Sequence, residues 1–466
     1  MQSVAIFVAL AALLVAGKLL RVRLPPLQRL YLPSSVVGGL LGLALAYVFR
    51  DAIPHETVAS VRAIPGFLIN IIFATLLLAE KPAVRKAERG EVLPQLALAQ
   101  VVAWGQYAVG TGLAGFLLAP AFGVSPAFGN LLELGFEGGH GTVGGMSAAF
   151  SAHGWEEGVA LGYTVATAGM IGGIAGGMAL VNWAYRRGLV KSVKPFSRRS
   201  AGERCGIHPR DARPSAGRQT VLPDSIDSLA WHLSVVGLAV LAGFLALKGL
   251  QAAEAALLPN AKTRLFDGFP MFPLCMLGGA MLRKAADAAK IDLLLDGELL
   301  KRISGAALDF LAVAAVATIQ LDVVAANWLP LSIMVAAGIA WTALSVVFLS
   351  PRLFRTAWFE RGIAEFGQAT GVTATGLLLL RTVDPENATG AAESFAGKQL
   401  LHEPFMNLWV AVAFALVMAA GWVPVFSVSS AVLAIWLAVA FAIARRNRRI
   451  ADLDVAPNRR APSAAS

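Results

Sequence analysis

Residues 136–145 read FEGGHGTVGG, five glycines with Glu137, His140 and Thr142 among them. A second stretch, 366–376, reads FGQATGVTATG and follows directly on Glu365. Carboxylate, imidazole, amide and hydroxyl groups set among glycines suit the grip of a small polar solute or a dehydrated cation. Glycine lets the backbone bend there and lets a ligand come close to it. If each stretch breaks a helix at membrane depth, its unpaired N–H groups and positive dipole end would face a carboxylate, and its freed carbonyls a cation. The candidate binding residues are therefore Glu137, Gly138, Gly139, His140, Gly141, Thr142 and Gly144 in the first stretch. In the second they are Glu365, Gly367, Gln368, Thr370, Gly371, Thr373 and Thr375.

The competing explanation for glycine is close helix packing. It leaves Glu137 and His140 unexplained, but it suits AGMIGGIAGGMAL, where Gly169, Gly173 and Gly177 recur every fourth residue with no ionisable neighbour. Ionisable residues inside apolar runs are functional candidates by default, which adds Asp309, with a structural pair as the alternative. Glu133 precedes Glu137 by one helical turn and Glu360 precedes Glu365 by slightly more; in each pair the residue nearer the glycines is the better candidate. Asp322 reads as interfacial, and Asn70, Gln100, Gln106, Gln320 and Asn407 as bonds across helices. Arg381 either meets a substrate carboxylate or snorkels to the interface. EGGH has the Glu-x-x-His spacing of di-metal bundles, but two glycines spoil the helix that spacing needs. No HExxH, GxSxG or Walker A pattern occurs, which argues against a protease, an esterase or an ATP-driven pump. Asn387 in NAT matches a glycosylation acceptor by chance, and Cys205 and Cys275 alone make no disulfide framework.

These residues must be positioned by helices in a membrane. The 466 residues are 57% hydrophobic and 15% charged, with a mean hydropathy of +0.66, against about 25% charged in soluble proteins. The net charge of +10 is spread over short loops and forms no patch for nucleic acid. Apolar runs at 4–20, 34–49, 64–79, 92–119 and 158–185 predict five helices in a first half. A linker with ten basic residues between Arg186 and Arg218 reads as disordered and cytoplasmic. A second half follows at 229–250, 270–282, 304–321, 329–349 and 405–422, then an extra helix at 427–444 and a disordered basic tail at 445–466. Stretches 127–151 and 357–380 are long enough to enter the membrane but too polar to cross it comfortably, and read as re-entrant.

Lys18, Arg21, Arg23 and Arg29 after the first helix, and Lys81, Arg85, Lys86 and Arg89 two crossings later, put the N-terminus outside and the central loop and C-terminus in the cytoplasm. The halves also echo each other: LPSSVVGGLLGLAL is matched by FPMFPLCMLGGAML, and IPGFLINIIFATLLL by GAALDFLAVAAVATI. Weak internal similarity, opposite orientation and one broken segment per half predict an all-α polytopic membrane protein. It has two inverted five-helix repeats (1–185 and 229–422 around the linker 186–228), each with a glycine-rich re-entrant hairpin, plus the extra C-terminal helix.

GGHGTVG at 138–144 matches the pattern GGxGxxG and resembles the re-entrant signature of the bacterial sodium/glutamate symporter family. LPSSVVGGLLGLAL is similar to that family's Pro-x-x-Val-x-Gly-Gly-Leu-Leu segment, and the resemblance extends from about residue 33 to 410. It implies sodium-coupled uptake of L-glutamate or a similar small carboxylate in the bacterial inner membrane. It implies no enzyme activity, no cofactor beyond sodium as coupling ion, and a homodimer in the lipid bilayer. Glu137, Thr142, Thr370 and Thr373 would hold sodium. The second stretch departs from the pattern with Gln, Ala and Thr, and Glu137 repels an anion unless sodium or a proton neutralises it. The alternatives are a proton-coupled carrier of another solute, working through Glu137, His140 or Asp309, and a channel.

Overall fold

The computed structural model describes residues 2–29, 32–50, 52–79, 89–190, 200–257, 259, 266, 269–385 and 388–455. Among these the chain is all helical, with no strand. The first half comprises α1 (Gln2–Arg23), α2 (Pro25–Arg29), α3 (Ser34–Val48), α4 (His55–Leu78), α5 (Arg89–Leu113) and α6 (Ala119–Phe122). A broken run follows, α7 (Leu131–Phe136), α8 (Gly139–Gly145) and α9 (Ser147–Ala152), and then α10 (Glu157–Arg186) and the short α11 (Ala201–Cys205). The second half holds α12 (Ser228–Leu257), α13 (Phe272–Ala288), α14 (Gly297–Ala317), α15 (Leu321–Ala326) and α16 (Trp328–Leu353). It closes with α17 (Trp358–Val383), α18 (Ala391–Ala420) and α19 (Trp422–Val455).

Nine helices among the described residues are long and apolar enough to cross a membrane. Of the eleven predicted crossings, α3 and α13 are too short and α14, at 21 residues, is too polar, whereas α17, read from sequence as re-entrant, is long and apolar enough. Burial orders the bundle. Only 17%, 17% and 11% of the apolar windows of α1, α12 and α19 are buried, against 72% for α5 and for α17. The first three form the periphery and the last two the centre, where Trp104, Tyr107, Phe128 and Phe136 are fully buried.

Paired glycines set the closest approaches. Gly38 of α3 lies on the backbone of Leu13 in α1, and Gly39 faces Val316 of α14. Gly278 of α13 lies on the carbonyl of Ala239 in α12, and Gly279 on that of Ala74 in α4. In each pair the first glycine meets the preceding long helix and the second meets a helix of the other half. A Cβ at any of these positions would collide with backbone or with a β-branched side chain, so helix backbones approach more closely than larger residues permit.

Several boundaries differ from those read off the sequence. α18 begins at Ala391 and carries Pro404 inside it, fourteen residues before the predicted start at 405. α4 likewise begins at His55 and contains Pro65. α19 continues to Val455, so the first part of the expected disordered tail is helical, as its Ala- and Arg-rich sequence favours. The expected disordered linker is also ordered from residue 200 onward. Ser200 and Glu203 form a capping box for α11. Lys18 Nζ donates to the carbonyls of Cys205 (2.9 Å) and Gly206 (2.8 Å), fastening this helix to the end of α1. Basic residues here bind carbonyls, which composition alone could not reveal. Asn387, Lys81, Arg85, Lys86 and residues 191–199 and 456–466 lie outside the described residues.

Candidate functional site

The first glycine stretch breaks where its sequence invites it. α7 ends at Phe136, the N–H of Gly138 reaches back to the Glu133 carbonyl at 3.3 Å, and Gly139 takes a φ of +66°. That left-handed conformation is cheap only for glycine. Beyond it α8 packs Val143 on Gly162 of α10, while Gly135 of α7 abuts Val165 and Ala166 of the same helix. Both arms thus lie along one short stretch of α10.

The second stretch breaks at Gly371 and Val372 inside α17. A Cβ on Gly367 would lie 2.7 Å from Cα of Gly376, nine residues on; in a straight helix those residues are about 13 Å apart. The chain therefore doubles back. Val372, at φ 62° and ψ 170°, is a β-branched residue held in the left-handed half of backbone space, a strained state. Its side chain touches Gly139, so the two breaks meet tip to tip.

Behind the tips runs a buried polar network. Glu137 Oε1 accepts from Gln368 Nε2 at 3.0 Å and contacts His402 Nε2. His402 Nδ1 lies 3.0 Å from the amide nitrogen of Gln100, whose oxygen accepts from Trp104 Nε1 at 2.7 Å. With Nδ1 accepting from Gln100, Nε2 carries the proton offered to Glu137. Lys398 Nζ donates to Gln368 Oε1 (2.8 Å) and Glu365 Oε1 (3.1 Å), and Gln95 Nε2 donates to Glu365 Oε2 at 2.9 Å. The Lys398 and Glu365 side chains are both fully buried. One connected set of charges and amides thus joins α5, the first break, α17 and α18.

In front of the tips lies a cavity of about 380 Å³, walled by both breaks and by α3, α4, α14 and α18. Of the residues singled out in the sequence, Glu137, Gly138, His140, Gly141, Thr142, Asp309, Thr373 and Thr375 line it. Glu365 and Gln368 stand behind it in the network. Gly144 packs on Pro65 and Tyr163, Gly367 on Gly376, and Thr370 against Gly173, so none of these opens on the cavity. Gly139 and Gly371 form the breaks themselves. Thr142 and Thr370 donate their hydroxyls to the carbonyls of Gly138 and Phe366, at 2.9 and 2.7 Å. The packing reading of the α10 glycines fits: Gly169 faces Phe136 and the Thr370 carbonyl, Gly173 faces Thr370 and Gly177 faces Leu379. Gln106 bonds across to Thr342 (2.9 Å) and to the Ala369 carbonyl (2.6 Å), and Arg381 is exposed and away from the cavity.

Sequence reasoning missed Lys398, Gln399, His402 and Glu403. Thr373 Oγ1 lies 3.0 Å from Glu403 Oε1 and 2.9 Å from Gln399 Nε2. All four fall in the part of α18 that a purely apolar criterion discards. Their signal is the i, i+4 spacing of Lys398 with His402 and Gln399 with Glu403, which puts each pair on one helical face.

A multi-span helical bundle, with a cavity where two broken segments touch and charges buried behind it, defines a polytopic membrane protein. The model of the family described as sodium/glutamate symporter matches residues 1–358, well over half of the chain, and the protein belongs to that family. Its family is one of sodium and glutamate symport across membranes, and symporters are not an enzyme class. No curated protein matches the chain. The family match ends at Trp358, the first residue of α17, short of the residue 410 expected from the sequence; Glu365, Gln368, Lys398 and His402 lie beyond it.

Proposed function

We propose that the protein carries a small carboxylate-bearing solute, L-glutamate or a close relative, into the cell together with sodium, by alternating access. The observation that carries this reading is the cavity at the meeting of the two breaks, where polar groups from both halves of the chain converge. Sodium would be held by Glu137, by backbone carbonyls at the breaks and by the oxygens of Thr142 and Thr373; Thr370, expected from the sequence to join them, packs on Gly173 away from the cavity. Thr373 is the threonine of this set at the cavity wall in the second break. Thr375 and the N–H groups that open the second arm of α17 would face the substrate carboxylate.

The exchange of glycine contacts between halves, α3 to α14 and α13 to α4, supports two inverted repeats, with 127–151 and 357–380 as their re-entrant hairpins and α19 added outside. A bacterial inner-membrane location, an external N-terminus and a homodimer complete the reading. Uptake of L-glutamate into proteoliposomes tests it. Accumulation under an inward sodium gradient is expected, and accumulation that ignores sodium, or none under any gradient, rejects it. The contact of His402 with Glu137 favours proton coupling as a second reading; a proton gradient sufficing without sodium would select it.

A further inference from the structure

We propose that the cavity selects an amino acid with an apolar side chain, gripped by its ammonium group at Glu133 and Glu137, in preference to a dicarboxylate. This places a relative of glutamate, rather than glutamate itself, first among the solutes of the carrier just described, and it rests on the cavity being its transport site. The charge of the wall is one-sided. Among the described residues four carboxylates line it, those of Glu133, Glu137, Asp309 and Glu403, and no lysine or arginine does.

Two of these acids are also short of donors. Glu133 is 2% exposed and its Oε2 has no hydrogen-bond partner, although the residue faces the Tyr107 hydroxyl. Glu137 Oε2 is likewise buried without a partner, since Gln368 and His402 both address Oε1. Buried polar atoms left unpaired are rare and destabilising. These two belong to residues that line the cavity, one helical turn apart. A primary ammonium brings three N–H donors and a positive charge, and meets both needs at once.

The cations nearby are spoken for. Lys398 does not line the cavity, and its ammonium is held by Glu365 and Gln368. His402 stands behind Glu137, and His140 engages Thr167 at 2.9 Å. One substrate carboxylate can use the N–H groups opening the second arm of α17. A second carboxylate has no such partner and would enter among like charges. The rest of the wall, with Ile69, Ile72, Phe73, Met406 and Val410, suits an aliphatic chain. The cavity volume of about 380 Å³ accommodates a small solute of this kind.

The test is direct binding to the purified full-length protein in detergent, by calorimetry, with and without sodium. The probes are L-norleucine, 1-aminohexane, L-glutamate and glutarate. Norleucine should bind at least tenfold more tightly than glutamate in sodium, aminohexane should bind, and glutarate should not. Glu133→Gln should weaken norleucine at least tenfold; if that variant does not fold, Glu137→Gln takes its place and should do the same. The proposal is overturned if glutamate binds as tightly as norleucine, if glutarate binds, if none of the four binds, or if the folded variant binds as the parent does. Sodium-driven glutamate uptake without norleucine binding would sink the selectivity and leave the carrier standing. Norleucine binding without concentrative uptake of any probe would do the reverse.

Discussion

Replacing Lys398 by methionine removes the cation paired with Glu365 while keeping most of the side-chain volume. Both side chains are fully buried, and the ammonium also holds Gln368, so the variant strands a carboxylate beside the Gln95 amide. Breaking a buried pair from one side costs about 3–5 kcal/mol. The second change, Glu365→Gln, removes the stranded charge and keeps an oxygen for Gln95. The double variant should therefore recover most of the loss and settle within about 1–2 kcal/mol of the parent. The readout is unfolding in mixed micelles of increasing SDS content, followed by the fluorescence of the ten tryptophans. Lys398→Met alone should shift the folded-to-unfolded ratio by at least about a hundredfold. A single variant as stable as the parent, or a double variant that loses the sum of the two singles, would refute the view that this pair is held by mutual charge.

Five further outcomes are expected. Gly173→Val sets a branched side chain against Thr370 and should destabilise by about 1–3 kcal/mol in the same assay. Gly237→Ala, on a face with no neighbour within 4 Å, should stay within about 1 kcal/mol of the parent. Gly141→Val would meet only the flexible end of Ile69 and project into the cavity, so uptake in proteoliposomes should be lost while size-exclusion behaviour is kept. Glu137→Gln removes a charge from the middle of the network and should alter both the sodium and the pH dependence of uptake; unchanged profiles would take Glu137 out of the coupling site. Lys18→Ala with Arg21→Ala releases the carbonyls of Cys205 and should speed tryptic cleavage at Arg204, measured by mass spectrometry.

Much of the bundle was legible because lipid imposes a simple rule: about twenty apolar residues make a crossing. The same rule misplaced the start of α18. KQLLHEPFMN carries Lys398, His402, Glu403 and Pro404, and an apolar window discards it although its polar residues share helical faces turned inward. Gly139 announced the first break, since few other residues tolerate its positive φ, and Gly371 marked the second without needing such a conformation itself. Val372 could not announce itself, because nothing local favours a β-branched residue at positive φ, and the Gly139 it meets lies far off in the sequence. Glu133 looked the lesser of its pair in sequence, and its isolation from donors emerged only when the neighbouring helices were in place. The linker failed for a related reason: lysine and arginine were counted as charges, while their use here is as donors to carbonyl groups.

α10 belongs to the first half of the chain, yet Gly169 and Gly173 bear directly on Thr370 of the second. A helix surface bare of side chains offers no ridge to climb and no rotamer to rearrange. If the two halves shift past each other as proposed, such a strip would act as a greased rail. Sliding along it needs only the exchange of one backbone neighbour for the next, a turn further on. The same smoothness gives no latch, so any preferred resting position must come from elsewhere, and the ionic knot at Lys398 and Glu137 is placed to supply it.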